Sequence, residues 1–419
     1  MDRLTQALGS AIPSLRNTFA IPRQSGAPAD VLVYHCRFFC NYPFDRPNLT
    51  IGQLQHRKGR LTRLLNRLSS PKPCTFTAFG KQHRLPLRKS DLDVPLSPCS
   101  HADLEYLRGF FDGDGCVSAQ SKLQSCQLSI THSVDHGEAL LKFLHLLGGG
   151  LHAHGGGRGT SRATMQWCAT GNDCRRAAHM LGCAPSLKQK QLLIAANWPG
   201  EQPLRHQKAA ELTFLKHAEH DSNVVQSWER FAGFFDAEGC IRILTHSPSI
   251  TLTVAQKQQP VLRSIAALVH STFPSVQSAI YQGLGVHTWK LQKTSSSRLV
   301  LKRLLDAGLL KKRCAAEIAL SLSSHNHLEI RTKLSRVVGR QGRYQRRNAE
   351  GCRISAGITK LRSRLRNFHM KNGDAAAMSD LVRQIDDMVQ VRDRQQLCMA
   401  LGLLRQDIRQ FWQRDAITR

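Results

Sequence analysis

The chain is 419 residues long, which is enough for two or three domains with their own cores. Its 59 Lys and Arg residues outnumber 30 Asp and Glu residues, and the net charge of +29 favours a nucleic-acid partner whose phosphates it can neutralise. No run of 18 apolar residues is present, which argues against a membrane span. The 13 cysteines show no repeated metal-binding spacing, and we expect reduced thiols in an intracellular protein.

Residues 1–100 contain no motif that indicates an activity. Proline and serine interrupt the sequence at 23–28 and 69–73, and a basic run spans 56–67, so we predict an N-terminal extension of unknown role. The first 25 residues carry three arginines and one acid, a composition compatible with an organelle transit peptide. The expected location is an organelle, either mitochondrion or chloroplast, or the nucleus.

The first strong pattern is an apolar helix that closes in two acids. Leucine and phenylalanine recur at helical spacing over 104–111, and the segment ends in Asp112, Asp114 and Gly115. Gly109 lies inside the helix, where glycine costs about 1 kcal/mol relative to alanine, so its presence indicates that another helix approaches the bare backbone very closely. Gly115 is predicted to end the helix in a left-handed conformation.

Alternating and helical patterns follow this segment. A strand-like run at 116–120 and a clearly alternating run at 126–131 precede a helical stretch at 138–147. A further alternating run at 165–168 precedes another helix. Because short turns join the strands, we expect them to pair mostly in the antiparallel sense.

A second segment repeats the first almost letter for letter. Residues 231–239 read FAGFFDAEG where residues 107–115 read LRGFFDGDG, so glycines and acids recur at the same offsets, and Asp236 and Glu238 take the places of the earlier acids. The same order of patterns follows. The second set comprises strands at 240–244, 250–254 and 287–292 and a helix at 261–270.

These patterns predict an α+β fold built from two repeats of the order αββαββα. The predicted domains are an N-terminal extension (1–100), a first repeat (101–199), a linker (200–226), a second repeat (227–323) and a C-terminal extension (324–419). If the two motif helices pack side by side, Asp114 and Glu238 emerge together at the negative ends of both helix dipoles. Two carboxylates there repel each other, so we expect raised pKa values or a divalent cation with oxygen ligands.

The doubled segment resembles the signature helices of LAGLIDADG homing endonucleases, in the single-chain form that carries two motifs. The resemblance covers about residues 101–323. It implies two pseudo-symmetric repeats that form an antiparallel β saddle with a central pair of motif helices. It also implies a monomer that cleaves double-stranded DNA at a specific site, with Mg²⁺ (or Mn²⁺) held by Asp114 and Glu238. Asp112 and Asp236 would be structural and would bond nearby backbone.

The same resemblance implies further polar residues around the two acids. A lysine is expected late in each repeat, and Lys188 and Lys311 match best. A cation there could stabilise the charge that develops on the phosphate or orient a water. A polar residue is expected at the end of the second strand, where this chain has His132 in the first repeat and Gln256 in the second.

The strand alternation places polar, mostly uncharged side chains on the open face of each sheet. Such side chains suit the major groove, where donor and acceptor patterns distinguish base pairs. The residues predicted to contact DNA are Gln120, Lys122, Gln127, Thr131 and Gln166 in the first repeat and Arg242, Thr251, Thr253, Lys290 and Gln292 in the second.

The C-terminal extension is basic and is predicted to be largely helical. Residues 331–371 carry many cations and one acid, Glu350, and a helical pattern over 378–412 could add a DNA-binding or protein-binding helix pair. Because this tract suits RNA as well as DNA, an intron RNA maturase or a non-cleaving DNA- or RNA-binding protein on the same scaffold is the alternative function. A folded but inert copy is the third.

Overall fold

This computed structural model describes residues 49–92, 99–120, 124–216, 224–338, 342–370 and 374–418. Lys122 and residues 1–48 lie outside these ranges. Contacts along the chain divide it before Thr50, and the unit described below is Thr50–Arg419.

The N-terminal extension begins with an amphipathic helix and continues in short strands. Its elements are α1 (Ile51–Arg67), β1 (Leu68–Ser69), β2 (Thr75–Ala78), β3 (Lys81–Arg84) and β4 (Leu87–Arg88). Thr50 and Gln53 form a capping box at the start of α1, which satisfies two backbone N–H groups. Phe76 is 2% exposed and belongs to the core of the first repeat, and β4 pairs with a strand of that repeat. The sheet of the first repeat therefore includes residues from before position 100.

The two repeats have the same order of elements. The first consists of α2 (His101–Asp114), β5 (Gly115–Ala119), β6 (Cys126–Ser133), α3 (Glu138–Leu147), β7 (Gly150–Gly155), β8 (Thr164–Thr170), α4 (Gly171–Gly182) and α5 (Gln189–Ala196). Helix α6 (Gln202–Leu215) lies within the predicted linker. The second repeat consists of α7 (Trp228–Glu238), β9 (Gly239–Ile243), β10 (Ile250–Gln256), α8 (Gln259–Thr272), β11 (Ala279–Gln282), β12 (His287–Leu291), α9 (Thr294–Asp306) and α10 (Arg313–Leu320).

Each repeat contributes one antiparallel sheet. The strand order is β4-β7-β8-β6-β5 in the first sheet and β11-β12-β10-β9 in the second. The registers correspond, because Gly115 pairs with Ile130 in the first sheet as Gly239 pairs with Val254 in the second. The predicted α+β class and the doubled αββαββα order are confirmed.

The two motif helices, α2 and α7, pack at very short range. A Cβ atom on Gly109 would lie 1.9 Å from the carbonyl oxygen of Arg230, and one on Gly233 would lie 1.9 Å from that of Tyr106. The predicted close approach of two bare backbones is therefore confirmed, and it places the motif helices together at the centre of the doubled unit.

The prediction for the glycines that end these helices was wrong. Gly115 and Gly239 have φ values of −74° and −71° and extended ψ values, not left-handed ones. Each helix passes directly into a strand, and a Cβ atom would lie about 2.5 Å from the ring of Phe111 or 2.3 Å from the ring of Phe235. The glycines are needed for the space that these rings occupy, and not for an unusual φ.

The C-terminal extension is helical and returns to the N-terminal extension. Its elements are α11 (His327–Val337), α12 (Ala349–Met370), α13 (Ala375–Trp412) and β13 (Ile417–Thr418). The helical pattern predicted over 378–412 is one 38-residue helix, α13, which packs against both α12 and α1. Strand β13 pairs with β1, so the two extensions form one structure. No helix in the described ranges has the length and apolarity needed to cross a membrane.

Candidate active site

Two carboxylates lie together where α2 and α7 end. Asp114 and Glu238 are the last residues of these helices and are partly buried. The last turns touch, because a Cβ atom on Gly113 would lie 2.4 Å from the Cβ of Ala237 and 3.2 Å from the Cγ of Glu238. Burial and the charge of Asp114 raise the pKa of Glu238, whereas a hydrogen bond with Gln256 acts in the opposite direction.

Asp236, the inner acid of the second motif, anchors the loop before α10. It is fully buried, and its carboxylate accepts the backbone N–H groups of Leu310 (2.7 Å), Lys311 (3.0 Å) and Lys312 (2.8 Å). The hydroxyl of Tyr106, on the other motif helix, donates to the same carboxylate at 2.9 Å. The structural position expected for Asp236, bonded to nearby backbone, agrees with these contacts.

Asp112, the inner acid of the first motif, is bonded by side chains instead of backbone. Ser186 Oγ donates to it at 2.5 Å and the guanidinium of Arg230 at 3.0 Å. Arg230 also lies 3.7 Å from Glu105, which pairs with Arg108 at 2.6 Å. All four charged residues are at most 7% exposed, so the first repeat contains a buried network of two acids and two arginines. Among the described residues, the partners of Asp112 are thus two side chains and not the expected backbone N–H groups.

A buried lysine caps the end of the first motif helix. Lys188 Nζ donates to the carbonyl oxygens of Phe111 and Asp112, at 2.8 Å each, and of Gly113 at 3.3 Å. The carbonyl of Phe111 also accepts the backbone N–H of Gly115, and the ammonium group compensates the negative end of the helix dipole. Burial lowers the pKa of Lys188, although nearby carboxylates, among them Asp114, act in the opposite direction.

The counterpart of Lys188 in the second repeat is Lys312, whereas the sequence pattern favoured Lys311. Lys312 Nζ donates to the carbonyl oxygens of Phe235, at 2.7 Å, and Asp236. Burial, followed by the charge of Lys311, lowers the pKa of Lys312 to about 7. The spacing could have identified it, because 76 residues separate Asp236 from Lys312 and the same number separate Asp112 from Lys188. The backbone N–H groups of Lys311 and Lys312 both bind Asp236, so the two residues differ in the ammonium group, which in Lys312 binds the helix-end carbonyls.

His132 and Gln256 occupy equivalent positions but different environments. Both lie two residues beyond the pair formed by Ile130 or Val254 with the motif glycine. His132 is 9% exposed, and burial together with the cations Lys311, His136 and Lys312 lowers its pKa to about 3. It is therefore neutral at physiological pH. The two halves of the site differ here, since Gln256 binds Glu238 directly.

The open face of the first sheet carries the predicted polar side chains. Thr131 lies opposite Gln166, whose amide donates to the threonine hydroxyl at 3.2 Å. Gln127 donates to Cys168 Sγ at 3.1 Å, and Gln120 accepts from the hydroxyl of Ser125 at 2.9 Å. These residues share one face of the sheet, while the predicted contact of Lys122 lies outside the described residues.

The second sheet presents a more cationic face. Arg242 and Gln292 are exposed, and Thr253 pairs with Lys290, whose ammonium lies 5.7 Å from the ring centroid of Tyr281. Thr251, also predicted to contact DNA, is 3% exposed and lies opposite the longer Arg242.

The donor set at the helix ends fits a hard divalent cation. Two carboxylate oxygen donors from different helices meet there, and their repulsion would be offset by a positive ion. The described residues contain no group of three or more His, Cys, Asp or Glu that would form a complete protein cage. Mg²⁺ commonly binds one or two carboxylates together with water and substrate phosphate, which matches a two-carboxylate site.

Comparisons with known proteins give matches among solved structures alone. No family model and no curated protein matches the sequence. The LAGLIDADG meganuclease I-AabMI, bound to uncleaved DNA, is 16% identical with a TM-score of 0.43, over 56% of this chain and 97% of that one. I-SmaMI, bound to uncleavable DNA, is 13% identical with a TM-score of 0.40, over 56% and 98%. The LAGLIDADG homing endonuclease I-GzeII, in complex with its DNA target, is 11% identical with a TM-score of 0.38, over 56% and 96%.

I-SmaMI has also been solved on an uncleaved DNA target in the presence of calcium ions. These solved structures are LAGLIDADG endonucleases, the family that the doubled motif resembles. At identities of 11–16% the likeness concerns the fold alone.

Proposed function

We propose that this chain is a site-specific endonuclease that hydrolyses both strands of duplex DNA with a divalent cation, Mg²⁺ or Mn²⁺. The observation that carries the proposal is the meeting of Asp114 and Glu238 at the adjoining ends of α2 and α7, with one buried ammonium group under each helix end. The proposal includes action as a monomer, since one chain contributes both acids. It also includes action inside the cell.

In this proposal, Asp114 and Glu238 hold the cation between the two repeats. When bound, such a cation makes water a stronger nucleophile at neutral pH and offsets the charge on the scissile phosphate. The close contact of the last helical turns fixes the separation of the two acids, because neither helix can move away without breaking the glycine contact. Gln256 orients the Glu238 carboxylate by a hydrogen bond.

Lys188 and Lys312 add fixed positive charge beneath the acids. Each ammonium group is held by carbonyl oxygens of a motif helix, so its position does not need to reorganise when a phosphate arrives. Both lysines would then stabilise the charge that develops on the phosphate during hydrolysis.

The open faces of the two sheets provide the surface that reads the target. Exposed and half-buried amide, hydroxyl and cationic groups alternate along strands that lead away from the motif helices. Such groups can pair with base edges in the major groove. The residues retained for this role are Gln120, Gln127, Thr131, Gln166, Arg242, Thr253, Lys290 and Gln292.

The proposal is tested by cleavage of DNA recovered from a randomised duplex library after selection on the full-length chain. With Mg²⁺ present, Asp114→Asn is expected to lower the cutting rate about 100-fold or more, because it removes one of the two carboxylates that hold the cation. Asp306→Asn, the same change at the exposed end of α9, serves as the matched control and should cut normally. Lys312→Met should slow cutting more than Lys311→Met. An Asp114→Asn protein that cuts as fast as the wild type refutes the assignment.

The basic surface outside the repeats favours one second candidate, a protein that binds RNA or DNA without cutting it. On α1, His56, Arg60, Arg63 and Arg67 form an exposed stripe at helical spacing. Such a stripe can bind the phosphates of a structured RNA as well as those of a duplex. Tight binding of an intron transcript by a wild-type chain that cuts no selected duplex would decide for the maturase.

A further inference from the structure

A cleft of about 530 Å³ opens between the second repeat and the C-terminal extension. One wall is the turn between β9 and β10, at Thr245 and His246, and the other comes from α11, through Arg331, and from the segment that leads into α12, through Arg346 and Arg347. Three arginines therefore line this cleft, which we call the arginine cleft. No acid is among its lining residues in the described part of the chain.

Backbone carbonyls hold two of these arginines in place. Arg346 Nη1 donates to the carbonyl oxygens of Ser335 and Val338, at 3.0 Å each. Arg331 Nη1 donates to the carbonyl oxygen of Arg347 at 3.1 Å. Within the described ranges, the backbone bonds of both guanidinium groups use Nη1, so other N–H donors of each fork remain for a ligand. The cations are thus oriented before any ligand binds.

The arginine cleft concentrates like charges. Burial and the charges of Arg331 and Arg242 lower the pKa of Arg346, with an opposing contribution from Cys240. The positive charges of these arginines repel one another, and an anion bound among them would relieve the repulsion. The planar guanidinium fork matches the oxygen atoms of a phosphate better than those of a neutral ligand.

Arg242 links the arginine cleft to the sheet. It is exposed on β9, on the same face as the polar side chains of the second sheet, and it is close enough to Arg346 to affect its pKa. At the exit of β9, His327 of α11 lies 3.0 Å from the carbonyl oxygen of Leu244, which fixes the extension against this strand. The positively charged surface of the second sheet therefore continues into the arginine cleft.

We propose that the arginine cleft binds the phosphodiester backbone of duplex DNA immediately beyond the segment that lies on the second sheet. This inference rests on the proposed function, and it assigns the C-terminal extension the role of a clamp on the flank of the target. Continuity with Arg242 favours duplex DNA over RNA as the ligand, because the sheet and the arginine cleft can then contact the same double helix. Phosphate contacts would contribute affinity and position without adding sequence preference.

The test compares two single substitutions in the full-length chain. Arg347→Gln removes an exposed guanidinium from the cleft, and Arg353→Gln makes the same change on α12 outside the lining, at a side chain that is paired with Glu350 at 2.7 Å. The probes are a long random-sequence duplex and a short duplex that covers the sheets alone, each titrated over a range of salt concentrations.

For the long duplex, Arg347→Gln should lower the slope of log affinity against log salt by about 0.9, because the variant neutralises one phosphate fewer. Arg353→Gln should leave that slope unchanged, and neither substitution should alter binding of the short duplex. Arg347→Lys, which keeps a charge, should restore part of the slope. Equal effects of Arg347→Gln and Arg353→Gln, or no effect of either, would overturn the assignment.

Two further outcomes separate this inference from the proposed nuclease activity. If Arg347→Gln weakens the binding of a structured RNA but not of the long duplex, the arginine cleft is an RNA site and the inference fails. If the slope changes as expected while the wild type cuts no DNA, the arginine cleft stands and the proposed hydrolysis fails.

Discussion

The two repeats hold their inner motif acids by different chemistry. In the second repeat, Asp236 is satisfied by three backbone N–H groups and the hydroxyl of Tyr106, none of which carries a charge. In the first, Asp112 depends on Ser186 and on Arg230, which also lies near Glu105. The duplicated fold fixes where the carboxylate lies, but its partners can be neutral or charged. A charged network tolerates the loss of a member less well, because burial makes each unpaired charge costly.

The largest expected effect concerns the contact between the two motif helices, where the two glycines should contribute equally to stability. Gly109→Ala and Gly233→Ala should each destabilise the fold by about 4 kcal/mol or more, since the added methyl group would overlap a carbonyl oxygen of the facing helix. Urea unfolding followed by circular dichroism measures the change. Gly59→Ala on α1, where the nearest atom would be 3.8 Å away at the tip of Arg63, should instead be neutral or slightly stabilising. A motif glycine that accepts alanine at no cost in stability would contradict the packing.

The next test exposes the difference between the halves. Tyr106 and Arg230 occupy equivalent positions on the two motif helices, and each binds the inner acid of the other repeat. Arg230→Met should cost about 3–5 kcal/mol, because it leaves Asp112 and Glu105 buried without their shared cation. Tyr106→Phe should cost about 2 kcal/mol, because Asp236 keeps its three backbone donors. Free energies of unfolding in urea provide the comparison, and equal losses would mean that the two anchors are energetically alike.

The last expected effect concerns His132, and it is absent at neutral pH and appears only in acid. The folded pKa of His132 is about 3 against an ordinary value of 6.5, so the unfolded chain binds the proton first as the pH falls. The contribution of this residue is fully present above pH 6.5 and is lost through the window down to pH 3, at about 1.4 kcal/mol per pH unit. His132→Gln, which copies Gln256, should flatten this part of the stability profile.

The measurement is the free energy of unfolding at several pH values inside that window, for the wild type and the variant. His154→Gln, on the exposed side of β7, is the matched control and should leave the slope of the profile unchanged. A wild type and a His132→Gln protein with the same acid slope would show that His132 does not carry the effect.

Much of the repeat architecture could be predicted because its causes are local. Apolar spacing sets the helices, alternation sets the strands, and the interior glycines indicate the close pair. The outcome at Gly115 differed because the rule for helix ends assumes that the chain turns away, whereas here it enters a strand past the ring of Phe111. A prediction from neighbouring residue types does not account for a ring that occupies the space where the turn would begin.

The site was predicted less completely, because its contacts join distant parts of the chain. Lys312 and Lys311 are adjacent cations, and only the spacing from the inner acid separates them. Arg230 falls in the first turn of a helix that is rich in apolar residues, and nothing beside it in the sequence indicates Asp112 as its partner. The burial of Thr251 likewise depends on the neighbouring strand. The packing of α1 on α13 has no local signal at all.

That packing of the two extensions has a mechanical consequence. Ser70, just after β1, exchanges hydrogen bonds with Gly157 of the first repeat at 2.8 Å, while β13, reached from the second repeat through α11 to α13, pairs with β1. The two repeats are thus joined twice, once by the packed motif helices α2 and α7 and once through the contacts of the two extensions. Any motion that separates the two repeats must therefore disturb both sets of contacts, so the extensions limit how far the repeats can open.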